Sequence, residues 1–408
     1  MKERLATLVA RRGQKWILDA FIAQSGRDIL HPGSNAFMEQ QGYDHSDIEA
    51  VFGSVKCTDM QAKAWTKRGC ELAKRAEWAE TQGYKVASYH MYLRAALCFG
   101  RAQRDVKTNP SMKEVLHAKL VQYYVKAMQY SPVPMERVVL PFEGQHVYGV
   151  FFKHPNIAKA PCILLVPGMD MVKEDWTKIA QTYVIPSGFS ALAIDGPGQG
   201  ETLLHGGYVT QDNYERAGRV FVDYLVNRQD VDADNIVLLG VSMGSYWGTR
   251  IAGYDQRLKA AATALGCYGP KDAQFHEAQP SFFKNYSYMA GIKDPLEFDE
   301  FQQGMRLEEI AKEIKMPFLI VQGEMDELSP LEDVYKFYET LTCPKEIWIY
   351  ENQFHPMGPV SAEAFPAFVG WLRDKVDNPV PADLDKHVYV RQSGGYREGK
   401  AINFWFEA

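Results

Sequence analysis

Hydrophobic positions change their spacing once, decisively, along the chain. Up to about residue 130 the apolar residues recur at three and four, as on helices. The stretch from Thr58 to Ala102 is rich in Ala, Lys, Glu and Arg and has no proline. In it Val86, Tyr89, Leu93 and Leu97 fall on one helical face, and Gly83 predicts a break between two antiparallel helices. No second copy at a fixed period turns this pairing into a repeat array. The proline-rich joint "SPVPMER", Ser131 to Arg137, ends the helical pattern. After it, "RVVLPFEGQHVYGVFFKHP" predicts a β-hairpin turning at Glu143-Gly144. Short continuous apolar runs then follow: "APCILLVPG", "FSALAIDGPGQGE", "NIVLLG", "AAATALG", "MPFLIVQG" and "KEIWIYEN". Helical stretches separate them, such as Tyr214 to Asn227. Uninterrupted apolar strands alternating with helices predict an α/β fold with a mostly parallel sheet covered on both faces.

The boundaries follow from the same pattern: an N-terminal helical domain over residues 1–130, an α/β domain over 135–378, and a tail over 379–408. Residues 268–305 break the strand–helix rhythm and predict an insertion near the carboxyl edge of the sheet. The tail either packs back on the domain or reaches a partner subunit.

Composition changes this picture little. Of 408 residues, 46% are apolar and 24% charged, with a formal net charge of −6. That balance argues against nucleic acid or an anionic membrane as partner, since both select basic surfaces. The six cysteines form no C-x-x-C pair, which predicts reduced thiols. The N-terminus "MKERLATLVARRGQKW" lacks the apolar core of a signal peptide, and no apolar run is long enough to span a bilayer. The expectation is a cytoplasmic protein.

Candidate chemistry centres on "NIVLLGVSMGSYWGTR", where Gly240-Val241-Ser242-Met243-Gly244 joins a strand to a helix. G-x-S-x-G in that context fits a nucleophile elbow, with Ser242 exposed at the carboxyl end of the sheet and the Met243 amide at the oxyanion position. The competing reading is a tight turn of small residues. An orienting acid is expected after a later strand, and "PFLIVQGEMDELSP" offers Asp326, with Glu324 and Glu327 as alternatives; a helix-terminal acid is the bland reading. A base is expected last, and "IWIYENQFHPMG" places His355 in a loop after the final strand. The order Ser242, Asp326, His355 is that of an α/β-hydrolase. In "LLVPGMDMVKEDW", Gly168 permits close backbone approach and Met169 is the second candidate amide donor. Asp170 and Glu174 either shape the pocket entrance or cap the following helix. "DGPGQGE", Asp195 to Glu201, lacks the lysine of a P-loop and reads as a tight turn beneath the elbow. No Cys, His and acid cluster has metal-ligand spacing. His205 and His276 stand as further pocket candidates.

"PGMDMVKEDW", "DGPGQGE", "GVSMGSYWG", "GEMDELSP" and "FHPMG", in this order, resemble one branch of the α/β-hydrolases. It contains 2,6-dihydroxypseudooxynicotine hydrolase, the fermentation–respiration switch esterase-like proteins and fungal hydrolases that shorten polyketide pigment precursors. "YLRAALCFGRAQ" also resembles that branch, whose members carry a helical domain before the hydrolase core, so the likeness covers roughly residues 60 to 375. The resemblance favours Asp326 as the acid, through G-x-x-D-x-x-x-P. It implies a small-molecule substrate held between the helical domain and the sheet, often in a homodimer. It also implies cleavage of a carbon–carbon bond beside a carbonyl in some members and of esters in others. A C–C hydrolase must protonate a carbanion leaving group, and His276 and Glu277 are the candidates for an extra acid. The expected protein is a serine hydrolase that needs no metal or organic cofactor and acts on a small aromatic or polyketide-like carbonyl compound. C–C hydrolysis is favoured and carboxylesterase action is next. Acyl transfer, elimination or cyclisation by the same triad, and a non-catalytic binding protein, are the rivals.

Overall fold

The computed structural model describes residues 15–26 and 32–399. The stretch read above for a signal peptide lies almost wholly outside the described residues, as does the end of the tail from Lys400.

Six helices come first: α1 (Lys15–Ser25), α2 (Ser34–Gln41), α3 (His45–Phe52), α4 (Gln61–Thr81), α5 (Lys85–Arg104) and α6 (Pro110–Gln129). α4 and α5 form an antiparallel pair around the turn at Gly83, where φ is 75°. Tyr89, Leu93 and Leu97 are buried as the spacing predicts, but Val86 is 73% exposed. Residues 81–86 form the exposed tip of the helical hairpin, so the first turn of α5 has no neighbour to cover it. α6 starts where Pro110 needs no amide partner and the Asn109 side chain accepts from the Met112 amide at 3.0 Å.

The hairpin follows as β1 (Met135–Phe142) and β2 (Gln145–Phe152), with Glu143 and Gly144 both at positive φ, the turn that matches strand twist. Then come β3 (Ala160–Val166), a run of short helical turns over 173–187, β4 (Ser190–Asp195), α7 (Gly200–Leu204) and α8 (Asn213–Val226). β5 (Val231–Val241) leads into α9 (Met243–Tyr254), followed by β6 (Ala260–Ala264). Between β6 and the next strand lie α10 (Pro280–Ala290), α11 (Pro295–Gln303) and α12 (Glu308–Glu313), in the region where the rhythm breaks. The chain finishes with β7 (Phe318–Gly323), α13 (Leu331–Thr340), β8 (Lys345–Tyr350), α14 (Ser361–Asp377), β9 (Asp385–Val390) and β10 (Tyr396–Glu398).

One sheet holds all these strands in the order β1-β2-β4-β3-β5-β6-β7-β8-β9-β10. Every neighbouring pair from β4 through β9 is parallel, and antiparallel pairs flank this centre at both ends. The described part of the tail therefore joins the sheet through β9 and β10. β9 pairs with β8 and buries Tyr389, covering an edge that would otherwise expose unpaired backbone.

The central strands read as unbroken apolar runs because both faces are covered. In β5, Val237, Leu239 and Val241 join one core, while Ile236 and Leu238 join the other. The first core is continuous with Trp65, Tyr92 and Phe99 of the N-terminal helices, which thus pack on the sheet side that also carries α14. Polar ties reinforce the contact: Tyr124 and Thr177 hydroxyls lie 2.7 Å apart, and the Tyr43 hydroxyl donates to Asp175 at 3.1 Å.

Candidate active site

Ser242 occupies the corner between β5 and α9, with φ 55° and ψ −127°, a backbone region that non-glycine residues rarely adopt. The corner closes only with glycine on either side. A Cβ on Gly240 would stand 2.3 Å from the Gly244 carbonyl oxygen, and one on Gly244 would stand 2.3 Å from that of Val166. The Ser242 amide donates to Ala264 O at 2.8 Å, which pins the elbow to the end of β6.

Strand ends bring the other two groups to the same spot. Ser242 Oγ lies 2.9 Å from His355 Nε2, and His355 Nδ1 lies 2.9 Å from Asp326 Oδ2. Asp326 follows β7, and its Oδ1 accepts from the Leu328 and Ser329 amides at 2.9 and 3.1 Å. His355 follows β8, and its amide donates to Glu327 at 3.2 Å. Both His355 and Asp326 are buried, whereas Ser242 is partly exposed. Burial by itself would lower the imidazole pKa. The Asp326 carboxylate, then Glu327 and Asp170, outweigh it and hold the pKa above its ordinary 6.5.

Gln322 was not singled out by the sequence. Buried in β7, it donates to Asp326 Oδ2 at 2.7 Å and accepts from the Gly266 amide at 2.7 Å. One side chain thus links the carboxylate to the loop leaving β6. Its signal was a lone glutamine inside "PFLIVQG". Gln199 does similar work below the β3 loop: its amide nitrogen donates to Gly168 O at 2.9 Å, and its oxygen accepts from Tyr214 OH.

A cavity of about 100 Å³ opens at Ser242 and His355. Gly168, Met169 and Asp170 form one wall, and a Cβ on Gly168 would sit 3.1 Å from the Ser242 Cβ. Phe37 and Met38 of α2, Arg101 and Arg104 of α5, and Phe282 of α10 contribute to the other walls. Asp170 forms an ion pair with Arg104 and accepts from Asn285 Nδ2 at 2.7 Å, so it contributes a neutralised wall. Met243 is buried at the start of α9, directly after Ser242.

Four predicted pocket residues are elsewhere. Glu174 is 2% exposed and forms an ion pair at 2.9 Å with Lys173, inside a cluster that excludes it from the cavity. His276 lines a separate cavity of about 500 Å³ with Asp299 and Lys271, and lies 3.3 Å from Asp299. Glu277 ends the same short turn and lines neither cavity. Of the insertion over 268–305, only Phe282 reaches the Ser242 cavity. His205 packs against Tyr148 with the rings tilted by 30° and their centroids 5.4 Å apart. Glu324 accepts from the Tyr389 hydroxyl and the Asn352 amide, bracing the strand ends. Among the described residues no group of three or more His, Cys, Asp or Glu is arranged to hold a metal, and no helix is long and apolar enough to cross a membrane.

The chain is similar to 20-hydroxy-prefusarin hydrolase FUS2 of Gibberella moniliformis, at 24% identity over 63% of this chain and 64% of that protein. It is 26% identical to 2,6-dihydropseudooxynicotine hydrolase of Paenarthrobacter nicotinovorans, over 65% of this chain and 70% of that one. The chain spans about three fifths of the length of its fungal relatives, 62% for hydrolase acrC of Aspergillus aculeatus. Its fold matches the crystal structure of the 2,6-dihydroxy-pseudo-oxynicotine hydrolase with a TM-score of 0.76, covering 86% of this chain and 98% of that one at 21% identity. The prolyl oligopeptidase family matches residues 187–375, and the esterase FrsA-like family matches residues 44–274, from the N-terminal helices through the elbow. With more than half of its length in that match, the chain belongs to the esterase FrsA-like family, and it has the α/β-hydrolase fold.

Proposed function

We propose that the protein is a serine hydrolase in which Ser242 attacks a substrate carbonyl, His355 takes its proton, and Asp326 fixes the imidazole tautomer and stabilises the imidazolium. The observation that carries this reading is the unbroken Ser242–His355–Asp326 chain of hydrogen bonds opening on a cavity. The Met243 and Met169 amides serve as oxyanion donors. Collapse of the tetrahedral intermediate expels the leaving group, which receives the proton from His355. Water then attacks the acyl-enzyme, His355 again acts as base, and Ser242 is restored.

The favoured substrate is a small aromatic or polyketide-like carbonyl compound cut at a carbon–carbon bond. The named relatives support this class, since they are hydrolases of a prefusarin and of a pseudooxynicotine. Here the broken bond leaves its electron pair on carbon as an enolate. A second reading, carboxylester hydrolysis, gains from the position of His276 and Glu277 outside the cavity. An alkoxide leaving group needs only the proton from His355. Incubation with a short aryl ester and with a β-diketone, each beside Ser242→Ala and followed by mass spectrometry, decides between them. Serine-dependent diketone cleavage with slow ester turnover supports the first reading. Fast ester turnover with intact diketone supports the second, and equal rates in Ser242→Ala overturn both.

A further inference from the structure

Arg101 sits in the last turns of α5, one turn before Arg104, and is 8% exposed. Its Nε has no hydrogen-bond partner, and no carboxylate of the described residues lies within ion-pair reach of it. Of the cations nearest to it, Arg104 pairs with Asp170, and the buried Lys113 donates to the Gln103 carbonyl at 2.9 Å. A guanidinium withdrawn from water without a partner is costly, and it keeps its charge under all ordinary conditions. Burial, then repulsion from Arg104, press its pKa below the ordinary value, as expected for a cation short of a counter-charge.

Arg101 also occupies a distinctive place. It lines the cavity that contains Ser242 and His355, and it lines the adjoining smaller one formed with Lys113 and Gln199. Arg104 is offset by Asp170. Asp175, in the smaller cavity, is engaged by the Val172 amide at 3.0 Å and by the Tyr43 hydroxyl, and burial raises its pKa. Among the described residues, Arg101 is the guanidinium on the Ser242 cavity without an ion-pair partner.

We propose that Arg101 is a specificity-determining residue that binds a planar, singly charged pair of oxygens on the substrate, as found in a carboxylate or an enolised β-dicarbonyl. The guanidinium fork matches two coplanar oxygens through parallel N–H donors, and its single charge matches a monoanion. The substrate class is therefore an acidic carbonyl compound, with the anion one cavity wall away from the carbonyl that Ser242 attacks. This inference rests on Ser242 being the nucleophile.

The test compares matched anionic and neutral ligands on the full chain. One arm sets para-nitrophenyl hydrogen glutarate against its methyl ester as substrates. The other sets the dimedone enolate against its O-methyl enol ether as inhibitors. The wild type is expected to prefer the anion by about tenfold or more in at least one arm, which also identifies the source of the oxygens. Arg101→Gln brings that ratio close to one, and Arg101→Lys, a point charge without the fork, leaves it reduced. No anion preference in the wild type overturns the proposal, as does an unchanged preference in the variants. Where Arg101→Gln does not fold, the lysine variant decides by the same criterion. Labelling of Ser242 by a fluorophosphonate is read in parallel. An unlabelled wild type defeats the nucleophile reading, whereas calorimetric binding of dimedone to the same protein still reports on Arg101.

Discussion

Two buried ionic clusters lie on opposite sides of the β3 loop. In one, Lys173 Nζ is 2.8 Å from Asp195, 2.9 Å from Glu174 and 3.1 Å from Glu201, and Arg137 pairs with Glu201. In the other, His355 is bonded to Asp326 through one ring nitrogen and to Ser242 through the other. Both are withdrawn from water and both perturb protonation. Burial pushes the Glu174 carboxyl up, absorbing the excess of three acids over two cations. The difference is where the last group points. Lys173, Glu174 and Asp195 at the heart of the first cluster face protein, with Arg137 reaching in from the surface, so the cluster anchors the turn after β4 to the helical turns after β3. The Asp326–His355 chain ends in a hydroxyl that faces a cavity. Perturbed groups become chemistry only where the protein leaves one position open, and perturbation alone does not separate the two clusters.

The contrast can be broken from either side, and the largest effect is expected at the open end. Ser242→Ala should lower kcat by about a million-fold, as in other triads, with the melting temperature unchanged. Asp326→Asn should cost about ten-thousand-fold in kcat, because the imidazole is then held in the wrong tautomer. Steady-state kinetics beside thermal melts check both. In the closed cluster the effect moves to stability. Lys173→Met leaves Asp195 buried without its cation and should cost about 3–5 kcal/mol, read by chemical denaturation. Folded Lys173→Met should still label at Ser242.

Smaller effects sharpen the account. The base form of His355 is neutral, so activity should fall as pH drops through a pKa held above 6.5. Because the folded-state value is raised, the acid limb of kcat/KM should lie on the alkaline side of an unperturbed histidine. Asp326→Asn removes the principal raising charge and should move that limb to lower pH. Gln322→Leu should reduce kcat by about tenfold and shift the same limb, since Asp326 loses one of its donors. A kcat loss without a shift would assign Gln322 to packing alone.

Much of this was legible because its signals are local. The elbow is written in five consecutive residues, and Asp326 and His355 follow strands that announce themselves as apolar runs. The parallel sheet was legible for the same reason. What escaped depends on height and side within the fold. His276 and Glu277 do follow β6, but sequence order does not say which cavity the segment lines. The tail carries an alternating strand pattern in "HVYV", but only the pairing with β8 shows that it extends the sheet. Arg101 and Arg104 are both helix-terminal arginines in sequence, and only Asp170, brought from the β3 loop, distinguishes the paired one from the unpaired one.

The central claim is that Ser242 carries the acyl group, and the most direct measurement is rapid-quench mass spectrometry of the wild type during turnover of a para-nitrophenyl ester. The account predicts an acyl adduct on the peptide containing Ser242 that forms and decays with turnover and is absent from Ser242→Ala. Product release with Ser242 unmodified throughout, or an adduct on another residue with Ser242→Ala fully active, would contradict it.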